Sequence, residues 1–447
     1  MDAEAQAEKR RIPFFLSGLA GNLFTAGSFG ALVKVIGAVK VAVTARYFGA
    51  GSELDAYLIA FLLPSFFADV LAGSIRSALV PALVRTQKAG DPEAARSLSQ
   101  SVATAGTALL GAVAILLAAG AYFIPWSNTR SDLVRPLLFV LLPVLPLSAL
   151  STTCRSVLNA HRQFWIAAAI PVVTPTLCIA LLVAVSNTWG VFALALGTLA
   201  GNLVEALVLV IAVRRIGYPM AARWSRASLE TLRDVFSQYV PVVAGALVLG
   251  GSTFIDQGFA TLLGTGGIAV LTYGTKLTTA LLALGPAALG TAILPYLSKM
   301  SAEEDWLGIR SVIRRSVVMI AAAVIPLTAL LIVLSEPLIR LYLQRGQFSG
   351  ELAVEVTRVQ QFSLIHVPIA LILTLAMGLT ASLRANRLFV PVAVVGLGIN
   401  AISDFVLMKY LGVAGIALSD AVAGLAMLIY LSVLLNRLIS RNASATS

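Results

Sequence analysis

Three lysines stand in sequence that offers nothing to hydrate them: Lys34 and Lys40 in LVKVIGAVKVAVTARYF, and Lys276 just after Tyr273-Gly274-Thr275. A charged side chain at the centre of a bilayer costs roughly 2.5–3.5 kcal/mol on insertion scales, so such groups face a hydrated cavity, a counter-charge or a bound ligand. Such lysines would share a hydrated cavity; the alternative is that they snorkel or pair with acids. Lys34 and Lys40 differ by about 120° around a helix, which would set them on two sides of one groove. The apolar stretches also carry Asp69, Glu205, Asp256, Asp404 and Asp420. Asp256, beside Gln257, is the one we single out as a cavity partner or ion site. Asp55, just after the Gly49-Ala50-Gly51 turn, stands where a carboxylate caps the N-terminus of its own helix. Arg76 falls near the end of that helix, where snorkelling is the ordinary outcome.

The elements that must position these groups follow from hydropathy. The chain has 447 residues, of which 58% are hydrophobic and 12% charged, and its mean hydropathy is +0.91; soluble domains average about 25% charged residues. Most apolar runs exceed the ~18 residues a spanning helix needs and lack the alternation of a barrel strand. An all-α polytopic membrane protein with about twelve transmembrane helices is expected. The opening MDAEAQAEKRR shows no small-residue cleavage site, so the first helix is expected to stay as an anchor. Residues 1–11 read as a cytoplasmic tail, 12–213 as a six-helix bundle, 214–236 as a cytoplasmic linker, 237–436 as a second six-helix bundle and 437–447 as a cytoplasmic tail. Lys and Arg concentrate in alternate connections, including Arg155 and Arg162, the Arg214–Arg233 stretch and Lys299–Arg315. By the positive-inside rule both termini are then cytoplasmic, and topology accounts for the net charge of +11 without nucleic acid.

The two halves echo each other. ALVPAL at 78–83 matches AILPYL at 292–297, LNAHRQF at 158–164 matches LRANRLF at 383–389, and WGVFALAL at 189–196 matches LGVAGIAL at 411–418. The order is the same and the offsets are nearly constant. An even number of helices per half keeps the orientation, so this is a parallel repeat, the kind that places a substrate between two rocking bundles around a central cavity.

Enzymatic chemistry finds no footing. Cys154 and Cys178 are isolated and read as small packing residues; His161 and His366 have no metal-like partner. GxxxxGK[ST], HExxH and GxSxG are all absent, so neither a cofactor nor a metal is expected. The connections are too short for the outer catalytic loop of a glycosyltransferase. A drug or cation exporter would want an acidic cavity, and a scaffold has no use for buried lysines.

ARYFGAGSELDAYLIAFLLPS running on to SALVPALVRT resembles the opening signature of the MviN/MurJ family of lipid II flippases, in the multidrug/oligosaccharidyl-lipid/polysaccharide exporter superfamily. Ile255-Asp256 through LTYGTKL, GPAALGTAILPYLSK, SEPLIRLYLQRGQF and ANRLFVPVAVVGLGINAISDFVLMKYLGVAGIALS extend the resemblance over nearly the whole chain. It implies two six-helix bundles enclosing a cationic cavity, with alternating access moving a polyprenyl-pyrophosphate-linked saccharide across the bacterial inner membrane. The family's cavity arginines fall on Lys34, Lys40 and Lys276, and its acid at the start of the second helix on Asp55. Lysine keeps the charge but loses the planar, bidentate grip on phosphate. Other family charges fall on Ala68, Val41 and Gly73, and typical members carry two helices beyond the twelve counted here. The substrate-binding set is therefore expected to be Lys34, Lys40, Lys276, Asp55 and Asp256, with Asn202, Gln257 and Asn400 as candidate sugar contacts. The implied cargo is a lipid II-like peptidoglycan precursor, or else an exopolysaccharide or O-antigen unit. Membrane lipids and cell-wall or polysaccharide biosynthesis proteins are the further expected partners.

Overall fold

A computed structural model describes residues 27–123, 131–220, 226–283, 293–383 and 385–446. Among them there are helices and no strand. The first half holds α1 (Gly27–Phe48), α2 (Ser52–Phe67), α3 (Gly73–Lys88), α4 (Pro92–Phe123), α5 (Ser131–Leu141), α6 (Val144–Ala160), α7 (Phe164–Ala169), α8 (Val173–Trp189) and α9 (Phe192–Arg215). The long α10 (Arg226–Leu262) follows, then α11 (Gly267–Gly274), α12 (Lys276–Leu282), α13 (Leu294–Ala302), α14 (Trp306–Val333) and α15 (Ser335–Leu343). The chain closes with α16 (Gly350–Leu364), α17 (His366–Ser382), α18 (Phe389–Leu411) and α19 (Val413–Thr446). Eleven helical spans among the described residues are long and apolar enough to cross a membrane, which makes this a multi-pass membrane protein.

Backbone polar groups have no water to turn to in a bilayer, so helices satisfy them internally. Their Ser and Thr hydroxyls fold back on the preceding turn, as Thr198 does on the Leu194 carbonyl at 2.9 Å. Outside the apolar stretches, side chains cap the ends: Asp305 accepts from the Gly308 N–H at 2.8 Å and Ser349 from the Leu352 N–H at 3.1 Å. The tail 1–11, the start of the first expected helix and the 284–292 part of the eighth lie outside the described residues. Of the stretch 214–236 read as a linker, the part from Arg226 onward is already helix and runs unbroken into the next span. RASLETLRDVF contains no Gly or Pro and many helix formers, so nothing ends the helix there.

By its internal contacts the chain divides into two units, Met1–Tyr47 with Ala60–Ala244, and Phe48–Ile59 with Gly245–Ser447. In the first, α8 and α9 form the most extensive helix pair. Gly197 and Gly201, four residues apart on α9, make that contact close: a Cβ on Gly201 would stand 2.6 Å from the Thr174 Cα, and one on Gly197 2.8 Å from the Cys178 Cα. Small residues at this spacing bring helices together where oil cannot drive them. Cys154 and Cys178 are both buried and free, as packing residues are. In the second unit the corresponding pair is α18 and α19, again the most extensive contact of its unit. The turns agree as well as the pairs. Gly190 between α8 and α9 has φ 53° and ψ −136°, and Gly412 between α18 and α19 has φ 60° and ψ −137°. Both N–H groups return to the carbonyl four residues earlier, of Ser186 and Met408, at 2.9 and 3.0 Å. The repeat seen as WGVFALAL and LGVAGIAL is thus a repeat of backbone geometry.

Asp55 corrects an expectation. It is the fourth residue of α2, too deep to cap that helix, and it caps a different one. Its Oδ2 accepts from the Gly266 N–H at 2.5 Å and its Oδ1 from the Ala269 N–H at 3.2 Å. These are free donors of the first turn of α11, where a carboxylate also meets the positive end of the helix dipole. The Tyr273 hydroxyl donates to the Gly49 carbonyl at 3.0 Å, and its ring packs edge-on against Phe348 with centroids 5.7 Å apart. Two glycines permit the approach. Gly49 has φ +53° and a Cβ there would stand 2.6 Å from the Gln347 carbonyl oxygen; Gly266 has φ +90° and its Cβ would stand 2.8 Å from that of Ala50. Asp55 is fully buried, so the substrate contact expected of it gives way to a structural role.

Removing the Asp55 carboxylate leaves buried N–H groups without an acceptor, at a cost of about 1–3 kcal/mol. Asp55→Ala should therefore lower the melting temperature of the purified protein, and Asp55→Asn, which keeps one acceptor, should lower it less. Gly266→Ala forces a side chain into left-handed backbone against Ala50, at a cost of roughly 1–3 kcal/mol. The same melting measurement should show a larger loss there than in Gly264→Ala, which shares a positive-φ backbone at +99° but whose Cβ meets nothing within 4 Å.

Candidate functional site

In the first unit a cavity of about 830 Å³ is lined by α1, the α2–α3 span, α6, α7 and α9. The α2–α3 span is not a regular helix here. Ala68–Ala72 form a π-helical turn, and such a turn inserts an extra residue that re-aims the side chains around it and recurs at functional sites. Asp69 lies in that turn and Arg76 one turn of α3 beyond it; both face the cavity, with Lys34 from α1 and Arg155 from α6. Ser148, Ser151, Thr152, Asn159 and Asn202 add polar groups to the wall. The cavity is therefore polar and carries three cations against one carboxylate in its wall.

Arg155 is anchored from behind. Its Nη2 pairs with Glu205 Oε1, and Glu205, only 4% exposed, accepts a second bond from the Thr174 hydroxyl at 3.0 Å. Glu205 continues the stripe of Gly197 and Gly201 on α9, so the close packing that admits Thr174 also delivers the acid. The Arg155 side chain keeps 32% of its surface exposed, and its Nε has no hydrogen-bond partner. The sequence alone suggests a cytoplasmic connection for Arg155 and a snorkelling helix end for Arg76. Arg155 is instead inside α6 and Arg76 inside a span that continues to Lys88. The signal that could have found the pair was Glu205, an acid in apolar sequence that needs a cation.

Of the predicted substrate-binding set Lys34 lines this cavity, and so does the candidate sugar contact Asn202. Lys40 is half-buried further along α1, where its carbonyl accepts from the Thr44 hydroxyl at 2.9 Å; six residues of helix turn it away from the wall that Lys34 joins. Lys276 belongs to the second unit. Helix α11 ends at Gly274, Thr275 interrupts, and Lys276 opens α12 as an exposed side chain. Asn202 lines the cavity but spends its Nδ2 on the Thr198 carbonyl at 2.8 Å.

Asp256 is likewise in the second unit, 7% exposed on α10, within hydrogen-bonding reach of Asn400 and Asp404 and close to Asp420. Ser419 donates to Asp404 Oδ1, and the Asn400 amide donates to the Ser419 hydroxyl at 3.3 Å. Asp256 Oδ1, Asn400 Oδ1 and Asp404 Oδ2 are buried without a donor. Ionised carboxylates packed this way repel, and a proton or a cation shared among them offsets the repulsion. Among the described residues no three His, Cys, Asp or Glu side chains are grouped to hold a metal ion. Asn400, at 1% exposed, is part of this cluster rather than a sugar contact. His161 packs edge-on against Tyr218 with centroids 4.6 Å apart, a structural use of the ring.

Comparison with known proteins bears on what such a site serves. The family model described as Lipid II flippase MurJ matches residues 44–445. The Lipid II flippase MurJ of Burkholderia cenocepacia is 28% identical, over 90% of this chain and 80% of its own length. The solved structure of a lipid II flippase MurJ in an inward closed conformation superposes with a TM-score of 0.77 at 21% identity, covering 92% of this chain and 87% of that one. An inward-facing multidrug resistance MATE family transporter of the MOP superfamily gives 0.73 at 14% identity, covering 95% and 99%. At those identities the structures speak for a shared fold alone. The family match carries the assignment, because it takes in the α2–α3 span, the Lys276 break and the Asp256 cluster in one unbroken stretch: the chain belongs to the MurJ family, whose members are membrane transporters and not enzymes.

Proposed function

We propose that this protein is a flippase that carries a polyprenyl-pyrophosphate-linked saccharide, a lipid II-like peptidoglycan precursor, across the bacterial inner membrane by alternating access. The observation that carries the reading is the combination of the family match with a polar, net-cationic cavity inside a membrane-spanning unit. Lys34 supplies charge to that cavity; Lys40 and Lys276 are the other two lysines proposed to bind the substrate. Ionic attraction gives binding, and a change in conformation moves the bound head group from one leaflet to the other. Asp55 takes no part in binding and keeps α11 in place; Asp256 acts through the acid cluster. Both termini are cytoplasmic in this reading, and proteins of cell-wall synthesis deliver and receive the cargo.

A second cargo has one observation in its favour. Lys34, Lys40 and Lys276 stand where the family resemblance places arginines, which suits a head group that does not need a forked grip, such as the carrier-linked unit of an exopolysaccharide or O-antigen. One experiment separates the two. In a bacterium depleted of its essential lipid II flippase, expression of this chain should restore growth and exposure of lipid II on the outer leaflet. The variant with both Lys34→Gln and Lys276→Gln should reach the membrane at normal abundance and lose at least tenfold of that exposure. Full activity in the double variant would overturn the site, and no rescue by well-inserted protein would shift the cargo to a surface polysaccharide unit. The topology is checked independently: a green fluorescent protein fused after Ser447 should fluoresce, and alkaline phosphatase fused there should stay inactive.

A further inference from the structure

The cavity of the first unit contains two arginines that no feature of the family resemblance selects. We infer that Arg76 and Arg155 form the phosphate-gripping pair of this cavity, with Lys34 as a third, point-like charge; this rests on the flippase reading above and adds to it the residues that hold the anion. The argument starts from charge. Arg76 and Arg155 are close enough for their like charges to act on each other, and both face the same cavity as Lys34. Three cations in one wall repel, and an anion seated between them relieves that repulsion. Asp69 and Glu205 offset part of the charge without cancelling it.

Geometry supplies the second argument. A guanidinium presents its donors in a planar fork that fits the oxygens of phosphate two at a time. Glu205 takes one edge of Arg155, and Thr174 in turn holds Glu205, so the group is oriented before any ligand arrives. Arg76 hangs one turn beyond the π-helical Ala68–Ala72, the irregularity that sets its direction. The volume of about 830 Å³ is within the range of roughly 300–1,000 Å³ of small-molecule sites. Ser151, Thr152 and Asn159 beside Arg155 offer neutral donors and acceptors for the first sugar. The ligand class is therefore the pyrophosphate end of a lipid carrier.

Binding is measured on the purified full-length protein in nanodiscs, with undecaprenyl pyrophosphate as the probe and with phosphatidylglycerol and inorganic pyrophosphate as competitors. Arg155→Gln alone strands Glu205 as a buried, unpaired acid and threatens the fold, so the test uses the neutral pair Arg155→Gln with Glu205→Gln. That pair and Arg76→Gln should each weaken the probe at least tenfold, while Arg310→Gln in the second unit leaves it unchanged. Competition by inorganic pyrophosphate that is lost in Arg76→Gln would support the assignment and place recognition on the phosphates themselves. Wild-type affinity in the variants, with the wild-type protein binding well, would overturn the inference and leave the flippase reading standing. Phosphatidylglycerol competing as well as the probe would make the cavity a general lipid head-group site and overturn it too. A wild-type protein that binds no undecaprenyl pyrophosphate would remove the flippase reading and this inference together.

Discussion

The bond from the Asp55 carboxylate to the first turn of α11 is the constraint on which the second unit is built. It connects residues more than two hundred positions apart in sequence, and it explains why Phe48–Ile59 belongs with Gly245–Ser447 rather than with its own neighbours. A short helix such as α11 cannot hold itself: four N–H groups at its start have no internal partner, and where they are buried in protein they cannot turn to water. The carboxylate of Asp55 accepts from one turn of them, and the Tyr273 hydroxyl closes the other side on Gly49. Once α11 is fixed, the break at Thr275 and the position of Lys276 follow from it. The two glycines with left-handed backbone are consequences of the same contact, since any side chain there would push the carbonyls of Gln347 and Ala50 away.

The first unit solves a different problem, that of keeping charges in apolar surroundings without losing the fold. A buried ion pair is weak support for stability because desolvation offsets most of its attraction. The Arg155–Glu205 pair is better understood as positioning: Gly197 and Gly201 bring α8 against α9, Thr174 comes within reach of Glu205, and Glu205 holds Arg155 at the cavity wall. Each step depends on the one before it. Substituting a larger residue for Gly201 would move Thr174 and, through it, the direction of a guanidinium on a third helix.

The sequence made some of this legible and hid the rest for physical reasons. Spanning helices could be read because an apolar run of sufficient length admits few other structures, and the repeat could be read because WGVFALAL and LGVAGIAL preserve a turn that needs a positive-φ glycine. Lys34 could be read because charge in such a run is costly. Asp55 was visible as a cap, but not as the cap of α11, because capping geometry is local in type and long-range in partner. Arg155 was lost to the boundary of α6: hydropathy sees a basic residue near Asn159-Ala160-His161 and assigns it to water, whereas the helix continues past it and Glu205 meets it there. The π-helical turn at Ala68–Ala72 has no sequence signature of its own, so the direction of Asp69 and Arg76 could come only from coordinates.

Duplication kept the backbone and divided the chemistry. At the separation that relates Gly190 to Gly412, Cys178 on α8 corresponds to Asn400 on α18, and Thr198 on α9 to Asp420 on α19. In the first unit the pair is neutral: the Cys178 Sγ lies 3.5 Å from the Thr198 hydroxyl, which is satisfied by its own helix. In the second the same two positions belong to the cluster of Asp256, Asp404 and Ser419, with acceptor oxygens left unpaired. The α8–α9 pair also carries a buried acid, Glu205, and uses it to hold Arg155 from α6, whereas the α18–α19 pair gathers Asn400, Asp404 and Ser419 into one cluster.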